Sequence, residues 1–293
     1  ENAYGSIQCS NPDLKWEKTA TTNIGADFTI WKNKINGSID WYKKETTDML
    51  FNYAVPASLV PGGRIWANGG SIDNKGVELM LNATVINKKD FGWTTTFNLA
   101  TNKNEVTSLQ GPYSNTDSIR YSDPEGPGQT GATLQLLKVG KPIGQFFSLM
   151  YAGKDANGVS QFQKRDGTLT TTPAIGTDYF YVGDAQPKLL AGWSNTLRYK
   201  NFDLNFFFRG VFGNKIFNAT RADLSYVIAA TNNNILNSAK DDKITDNRNS
   251  FYSTRYIEKG NYIRLDNTTL SYTFNAPVKG INNLRVYATV NNV

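Results

Sequence analysis

The sequence predicts an all-β fold, an antiparallel transmembrane β-barrel with short turns at one end and long loops at the other. Three observations carry this: segments in which apolar and polar residues alternate with period two, their grouping into hairpin pairs, and a sharp asymmetry between short and long connections. Composition agrees. Tyr (15), Phe (16) and Trp (6) are abundant, Gly stands at 25, and Asn and Thr recur throughout the 293 residues, which favours pleated strands and turns over helices.

The first pair opens at Thr22 and runs to Trp31, with Ile24, Ala26, Phe28 and Ile30 on one face and Asn23, Gly25, Asp27 and Thr29 on the other. Lys32, Asn33 and Lys34 turn the chain, and Ile35, Gly37, Ile39 and Trp41 then alternate with Asn36, Ser38, Asp40 and Tyr42, the strand being expected to continue towards Phe51. The second pair places Val77, Leu79, Leu81, Ala83 and Val85 on one face, turns at Asn87 to Asp90, and returns through Trp93, Thr95, Phe97 and Leu99. Its opposite face carries Glu78, Asn82, Thr84, Thr94, Thr96 and Asn98. The third pair joins Leu189–Tyr199 to Phe202–Phe212 through Lys200 and Asn201, and the last joins Tyr262–Phe274 to Leu284–Asn291 through Pro277 to Asn283.

Asn52 to Asn74, Thr107 to Pro187 and Asn218 to Tyr256 are rich in Gly, Pro, Asn, Asp and Ser and read as long irregular connections, with one further short strand expected between Gly140 and Gly158. Such lengths argue against strands in a compact soluble domain. They suit an outer-membrane barrel, where short turns face the periplasm and long loops face outward. Strands of about 9 to 11 tilted residues cross the hydrocarbon, and each segment reaches that length. Trp31, Trp41, Phe91, Trp93, Trp193, Tyr199 and Tyr262 fall near strand ends, where interfacial aromatic girdles sit. No apolar run is long enough for a transmembrane helix. Mean hydropathy is nevertheless low, -0.45, because a barrel strand spends only alternate residues on lipid.

Several chemistries are excluded. The chain has no His, so it lacks the usual general base and the commonest zinc ligand, and Cys9 stands alone, without a partner for a disulfide, metal pair or redox motif. We therefore read no enzyme, no cofactor and no catalytic or metal site. The net charge of +6 is scattered in pairs such as Lys43-Lys44 and Lys88-Lys89, so no nucleic acid is expected as partner. Glu1 to Ser10 has neither the basic start nor the apolar core of a signal peptide, and a segment of a longer precursor is expected. Gly62-Gly63 and Gly69-Gly70 lack the Gly-Lys-Ser/Thr of a phosphate loop, and Asp155 to Gly158 and Asp166-Gly167 read as turns rather than calcium loops. Asp27, Asp40, Glu78, Asp203 and Arg209 project to the expected polar face and read as lining a solvated lumen rather than as acid/base pairs. Trp66, Tyr113, Tyr121, Tyr151, Tyr179 and Tyr181 are the candidate ligand-binding residues, since loop rings stack on sugars or anchor peptides; loops also pack on their own aromatics.

A resemblance runs through nearly the whole chain. Asn11-Pro12-Asp13-Leu14-Lys15-Trp16-Glu17-Lys18-Thr19, Asp40-Trp41-Tyr42-Lys43-Lys44-Glu45-Thr46-Thr47-Asp48-Met49-Leu50, and Asn68-Gly69-Gly70 with Asn74-Lys75-Gly76-Val77-Glu78 come first. They are followed by Gly183-Asp184-Ala185-Gln186-Pro187, Tyr199-Lys200-Asn201-Phe202-Asp203-Leu204 and Gly260-Asn261-Tyr262-Ile263-Arg264-Leu265-Asp266-Asn267-Thr268-Thr269-Leu270-Ser271-Tyr272, with Leu284-Arg285-Val286-Tyr287 near the end. In order and spacing these resemble the signature stretches of SusC/RagA-type TonB-dependent transporters. The resemblance implies a partial β-barrel domain over residues 1–293, part of a roughly 22-stranded barrel, with the N-terminal plug, the first strands and the final strands outside this segment. It also implies energised import across the outer membrane of a Gram-negative bacterium. A glycan or peptide ligand would be enclosed with a SusD-like lipoprotein and released when TonB pulls on the plug, with outer-membrane lipid around the wall. A passive porin or adhesin barrel, and a soluble β-sandwich carbohydrate-binding module, are the alternatives. The sandwich would bury Phe28, Leu79 and Phe206 in a dry centre.

Overall fold

The computed structural model describes residues 10–121, 133–231, 234–246, 252–278 and 280–292. In chain order the strands are β1 (Lys18–Ile30), β2 (Ile35–Thr47), β3 (Leu50–Ala54), β4 (Arg64–Asn68), β5 (Ser71–Asn87), β6 (Phe91–Ser108), β7 (Ser118–Tyr121), β8 (Gln135–Lys138) and β9 (Gln145–Lys154). They continue with β10 (Ser160–Gln163), β11 (Leu169–Thr170), β12 (Tyr179–Asp184), β13 (Leu189–Tyr199), β14 (Phe202–Phe212) and β15 (Lys215–Phe217). Helices α1 (Ala219–Leu224) and α2 (Asn237–Asp242) flank a 3₁₀ turn, and β16 (Ile257–Lys259), β17 (Tyr262–Val278) and β18 (Ile281–Asn291) complete the chain.

Eight strands make one antiparallel sheet in the order β1-β2-β5-β6-β13-β14-β17-β18. These are the four hairpin pairs read from the alternation, with β1, β5, β6, β17 and β18 longer than expected. The return strand of the first pair does not reach Phe51. It ends at Thr47, because Asp48 takes φ 55 and redirects the chain into the separate β3. The last hairpin closes at Gly280, inside the expected turn from Pro277 to Asn283, and a register shift falls between Asn275 and Val278. In the first turn Trp31, Lys32 and Asn33 all hold positive φ, and the Lys34 N–H donates to the Trp31 carbonyl at 3.2 Å.

Register places the apolar residues of successive strands side by side. One row runs Ala26↔Ile39, Ile39↔Leu79 and Leu79↔Leu99; another runs Leu204 to Leu197 on one flank and to Leu270 on the other. Rings stack across this face: Trp193 lies 5.6 Å from Phe97 and 5.7 Å from Phe208, while Tyr272 meets Phe202 and Phe274 at 4.6 Å near the short turns. None of Phe28, Leu79 and Phe206 is buried. No second sheet stacks on the apolar face among the described residues, which overturns the β-sandwich alternative. β1 and β18 are the sheet's edges among the described residues.

Among the described residues the long connections are not irregular. They fold into a layer: the first two form short strands, the β3–β4 pair and β11-β10-β9-β8-β7 with β12 also on β9, and the third carries α1, the 3₁₀ turn and α2 between the paired β15 and β16. β9 is the short strand expected between Gly140 and Gly158. The dry cores lie here rather than in the wall. Leu136, Phe147, Leu149, Phe162 and Tyr179 form one cluster, and Ala222, Tyr226, Ile244 and Tyr256 form a second. The three connections interlock: Thr254 N–H donates to the Leu149 carbonyl at 3.0 Å, Thr245 N–H to Gly158 at 3.0 Å, and Gly70 N–H to Gln110 at 2.8 Å.

Candidate functional site

The layer folds over the polar side of the wall. Ile72 and Val106 continue the polar-face register of Glu78 and Asn102 towards the loop end, and both are buried. Beside them the Asn104 Oδ1 accepts the Ile143 N–H at 2.6 Å, and Val106 exchanges backbone bonds with Lys141 and Gly140. The inner mouth of the wall is thus capped by its own connections.

Below this cap the polar face is charged in two blocks. Asp40 and Glu78 are direct cross-strand partners on β2 and β5. The glycine opposite, Gly25, makes room for Asp40: an added Cβ would sit 2.1 Å from its Oδ1. On β14 and β17, Arg209 and Arg264 are also direct partners, and Asp266 joins both at 3.1 and 3.0 Å from the bulge that follows Leu265. Like charges opposite one another destabilise a sheet unless something offsets them, and Asp266 does so for the arginines. Asp40, Glu78 and Arg209 share a groove of about 630 Å³ with Ser38, Asn98 and Tyr262. The sequence indicated the polar face but not the Arg209–Asp266–Arg264 triad, because the register shift between Phe207 and Phe208 that brings Asp266 inward leaves no mark on the alternation.

The candidate aromatics separate by burial. Trp66 on β4 is 41% exposed, Tyr113 is 43% exposed with its ring 6.1 Å from Tyr53, and Tyr181 on β12 is 37% exposed with its ring 5.0 Å from Phe147. Tyr179 is only 5% exposed and packs edge-on to Phe147. Tyr121 accepts the Gly144 N–H at 2.8 Å and lines an apolar cavity of about 320 Å³ with Met49, Phe51, Ile72, Val106 and Leu137. Tyr151 is clamped between Phe162 and the Arg255 guanidinium, which lies 5.5 Å from its ring.

Burial pushes the phenols of Tyr121, Tyr151 and Tyr179 up from their ordinary range. The Tyr252 phenol is pushed up to about 12, chiefly by burial and then by Tyr226 and Asp223. Tyr256 moves the same way for the same leading cause, its hydroxyl donating to that of Tyr226 at 3.0 Å. The Asp184 carboxyl is raised by burial, and Glu258 is lowered by its bond to Arg221. Sequence reasoning missed Arg255. Its side chain is 5% exposed, paired with Asp242 at 2.8 Å and 5.3 Å from the Tyr256 ring, and nothing in a polar stretch distinguishes such an arginine beforehand.

A two-faced antiparallel wall, apolar on one side and charged on the other, with its long connections capping one end, defines a portion of a transmembrane β-barrel. The chain belongs to the TonB-dependent receptor-like β-barrel family, whose model matches residues 1–293. It is 32% identical over 295 residues to the TonB-dependent receptor SusC of Bacteroides thetaiotaomicron, covering 96% of this chain and 29% of that protein. It is 29% identical over 310 residues to the TonB-dependent receptor P3 of Formosa agariphila, covering 97% of this chain and 30% of that protein. The chain therefore spans less than a third of the length of the curated relatives it matches. Its fold superposes on the RagAB peptide importer in the 'closed-closed' state with a TM-score of 0.80 at 23% identity, over 97% of this chain and 32% of that one.

Proposed function

We propose that this chain is wall and extracellular cap of an outer-membrane, TonB-dependent importer of the SusC kind, working with a SusD-like surface lipoprotein to take up a glycan or peptide. The observation that carries this reading is the cap: the connections fold inward, over the polar face, and close the mouth with packed cores of their own. The apolar face meets lipid, the short turns face the periplasm, and the capped end faces outward. Since a membrane wall tolerates no open edge, further strands pair with β1 and β18, and a plug fills the lumen between the Asp40–Glu78 and Arg209–Arg264 blocks. No chemistry on the substrate is required of these residues.

Trp66, Tyr113 and Tyr181 are the rings with a face left for a ligand. Tyr121, Tyr151 and Tyr179 hold the cap together, and through it the position of the other three.

Uptake of labelled oligosaccharides and peptides into cells carrying the full-length protein tests the reading. We expect transport to be lost when TonB is inactivated or the neighbouring lipoprotein is deleted. Transport that persists without TonB would instead support the passive-porin alternative. Alanine at Trp66, Tyr113 or Tyr181 should weaken binding of the imported ligand by about fivefold or more, the ~1 kcal/mol that marks a contributing contact, with unchanged thermal stability.

A further inference from the structure

Where wall meets cap, one edge of β6 is left open. β13 pairs with β6 from Tyr199↔Phe91 only as far as Leu189↔Thr101, whereas β5 stays paired with β6 up to Ser108. Backbone groups of an antiparallel strand point alternately to its two neighbours. On β6 the Phe91 carbonyl accepts from Lys88 at the β5 hairpin, while the Val106 N–H donates to Lys141 on the other side. The even-numbered residues between them, Asn102 and Asn104 included, therefore face away from β5. Nothing completes their ladder. The Lys188 N–H, next in line for Asn102, donates to the Phe212 carbonyl of β14 at 2.9 Å; Pro142 has no N–H; and the Ile143 N–H goes to the Asn104 side chain. Among the described residues the backbone N–H and C=O of Asn102 and Asn104 have no hydrogen-bond partner, although Asn104 is only 7% exposed.

This edge borders a cavity of about 630 Å³ whose lining includes Asn102, Asn104, Gln145, Lys188 and Lys215. Ligand sites are of this size, about 300–1,000 Å³. The gap between Thr101 and Val106 takes about four residues of extended chain at ~3.4 Å each. A further acceptor waits there, since the Gln145 Oε1 is buried without a hydrogen-bond partner among the described residues. Lys188 and Lys215, their stems against Gly213 and Gly183, have no carboxylate within ion-pair distance among the described residues, and Asp184 is the one carboxylate in the lining. The cavity thus combines an unfinished strand ladder with an excess of positive charge.

We propose that an extended acidic peptide adds to β6 here, its backbone pairing with Asn102 and Asn104 and its carboxylates meeting Lys188 and Lys215, so that the imported ligand is a peptide rather than a glycan. An unpaired strand edge is a template for another strand. Strand addition draws affinity from main-chain bonds that any peptide offers and selectivity from its side chains; a glycan has no alternating N–H and C=O to continue the sheet. The inference rests on the import function proposed above.

The test uses the full-length protein purified in detergent and a fluorescent, blocked hexapeptide of alternating glutamate and threonine. We expect this probe to bind, and its fully N-methylated form, which keeps every carboxylate but has no backbone N–H, to bind about tenfold more weakly. Asn102→Pro removes the outward N–H without taking a bond from β5 and should weaken the probe about fivefold, whereas Asn102→Ala keeps that N–H and should bind as before. Lys188→Gln/Lys215→Gln should weaken the acidic probe about fivefold and leave a glutamine–threonine peptide unaffected. Should Asn102→Pro fail to assemble, the N-methylated peptide on the unaltered protein decides alone. Equal binding of the N-methylated peptide overturns the proposal, as does equal binding of an oligogalacturonate of the same charge, which would make the cavity a site for anions in general. TonB-dependent uptake confined to oligosaccharides overturns this inference and leaves the import reading standing; a peptide bound at this edge but taken up without TonB does the reverse.

Discussion

Asn195 sits in the middle of the apolar face yet is 1% exposed. Its Oδ1 accepts the Trp93 indole N–H at 3.0 Å, and next to it the Trp193 indole donates to Thr95 at 2.8 Å. Polar groups inside hydrocarbon are tolerated when they bond to one another, and the ring stack around Trp193 covers this pair. Asn195→Leu keeps the volume but strands the Trp93 donor, so we expect a loss of about 1–3 kcal/mol, read as a lower midpoint for the heat-induced shift in gel mobility. Tyr252 makes a second test. Its pKa in the fold, about 12, lies above the ordinary 10.0, so the protonated phenol is the form the fold favours. That stability is fully present below pH 10.0 and is lost as pH rises through about 12. Tyrosinate absorbance on raising the pH should therefore show a late component that accompanies loss of near-ultraviolet circular dichroism. A single transition at the ordinary phenol value, with the signal intact, would contradict it.

Strands β2, β5 and β6 depend on Gly76. A Cβ there would sit 2.1 Å from the Thr101 carbonyl and 2.6 Å from the Tyr42 hydroxyl, so the Tyr42 ring lies over the glycine and reaches Asn102, accepting partner at 3.3 Å. The ring covers backbone that the missing side chain leaves bare. We expect Gly76→Val to block pairing of β5 with β6, seen as loss of the folded, heat-modifiable species in outer membranes. The strands themselves were legible because each one has two solvents, and a residue every second position must suit each of them. The elements of the cap were not. β7, β8 and β10 to β12 are two to six residues long, too short for a period, and their apolar residues face cores assembled from other connections.

The whole molecule has two parts with different sources of stability. The wall holds by ladders and, in its proposed setting, by lipid; the cap holds by burying Leu149, Tyr226, Tyr256 and Ile244. Leu149 is 0% exposed, and Leu149→Ala should cost the cap about 2–5 kcal/mol. Limited proteolysis should then cleave the connections first while the heat-modifiable mobility of the wall is kept. Simultaneous loss of both would mean that cap and wall unfold as one unit. Tyr179→Ala belongs to the same experiment: it is expected to loosen the cap, whereas Trp66→Ala is expected to leave it intact.

The sequence by itself determined the hairpin pairs, which face of each strand is apolar, and the family. All three follow from local alternation and from motifs contiguous in the chain. Only the tertiary structure decided which loop rings stay exposed, that Asp266 bridges two arginines, and that β6 is left unpaired at Asn102 and Asn104. Those facts depend on register and on contacts between residues far apart in sequence, and a single bulge or a shared core changes them without altering the pattern along any one strand.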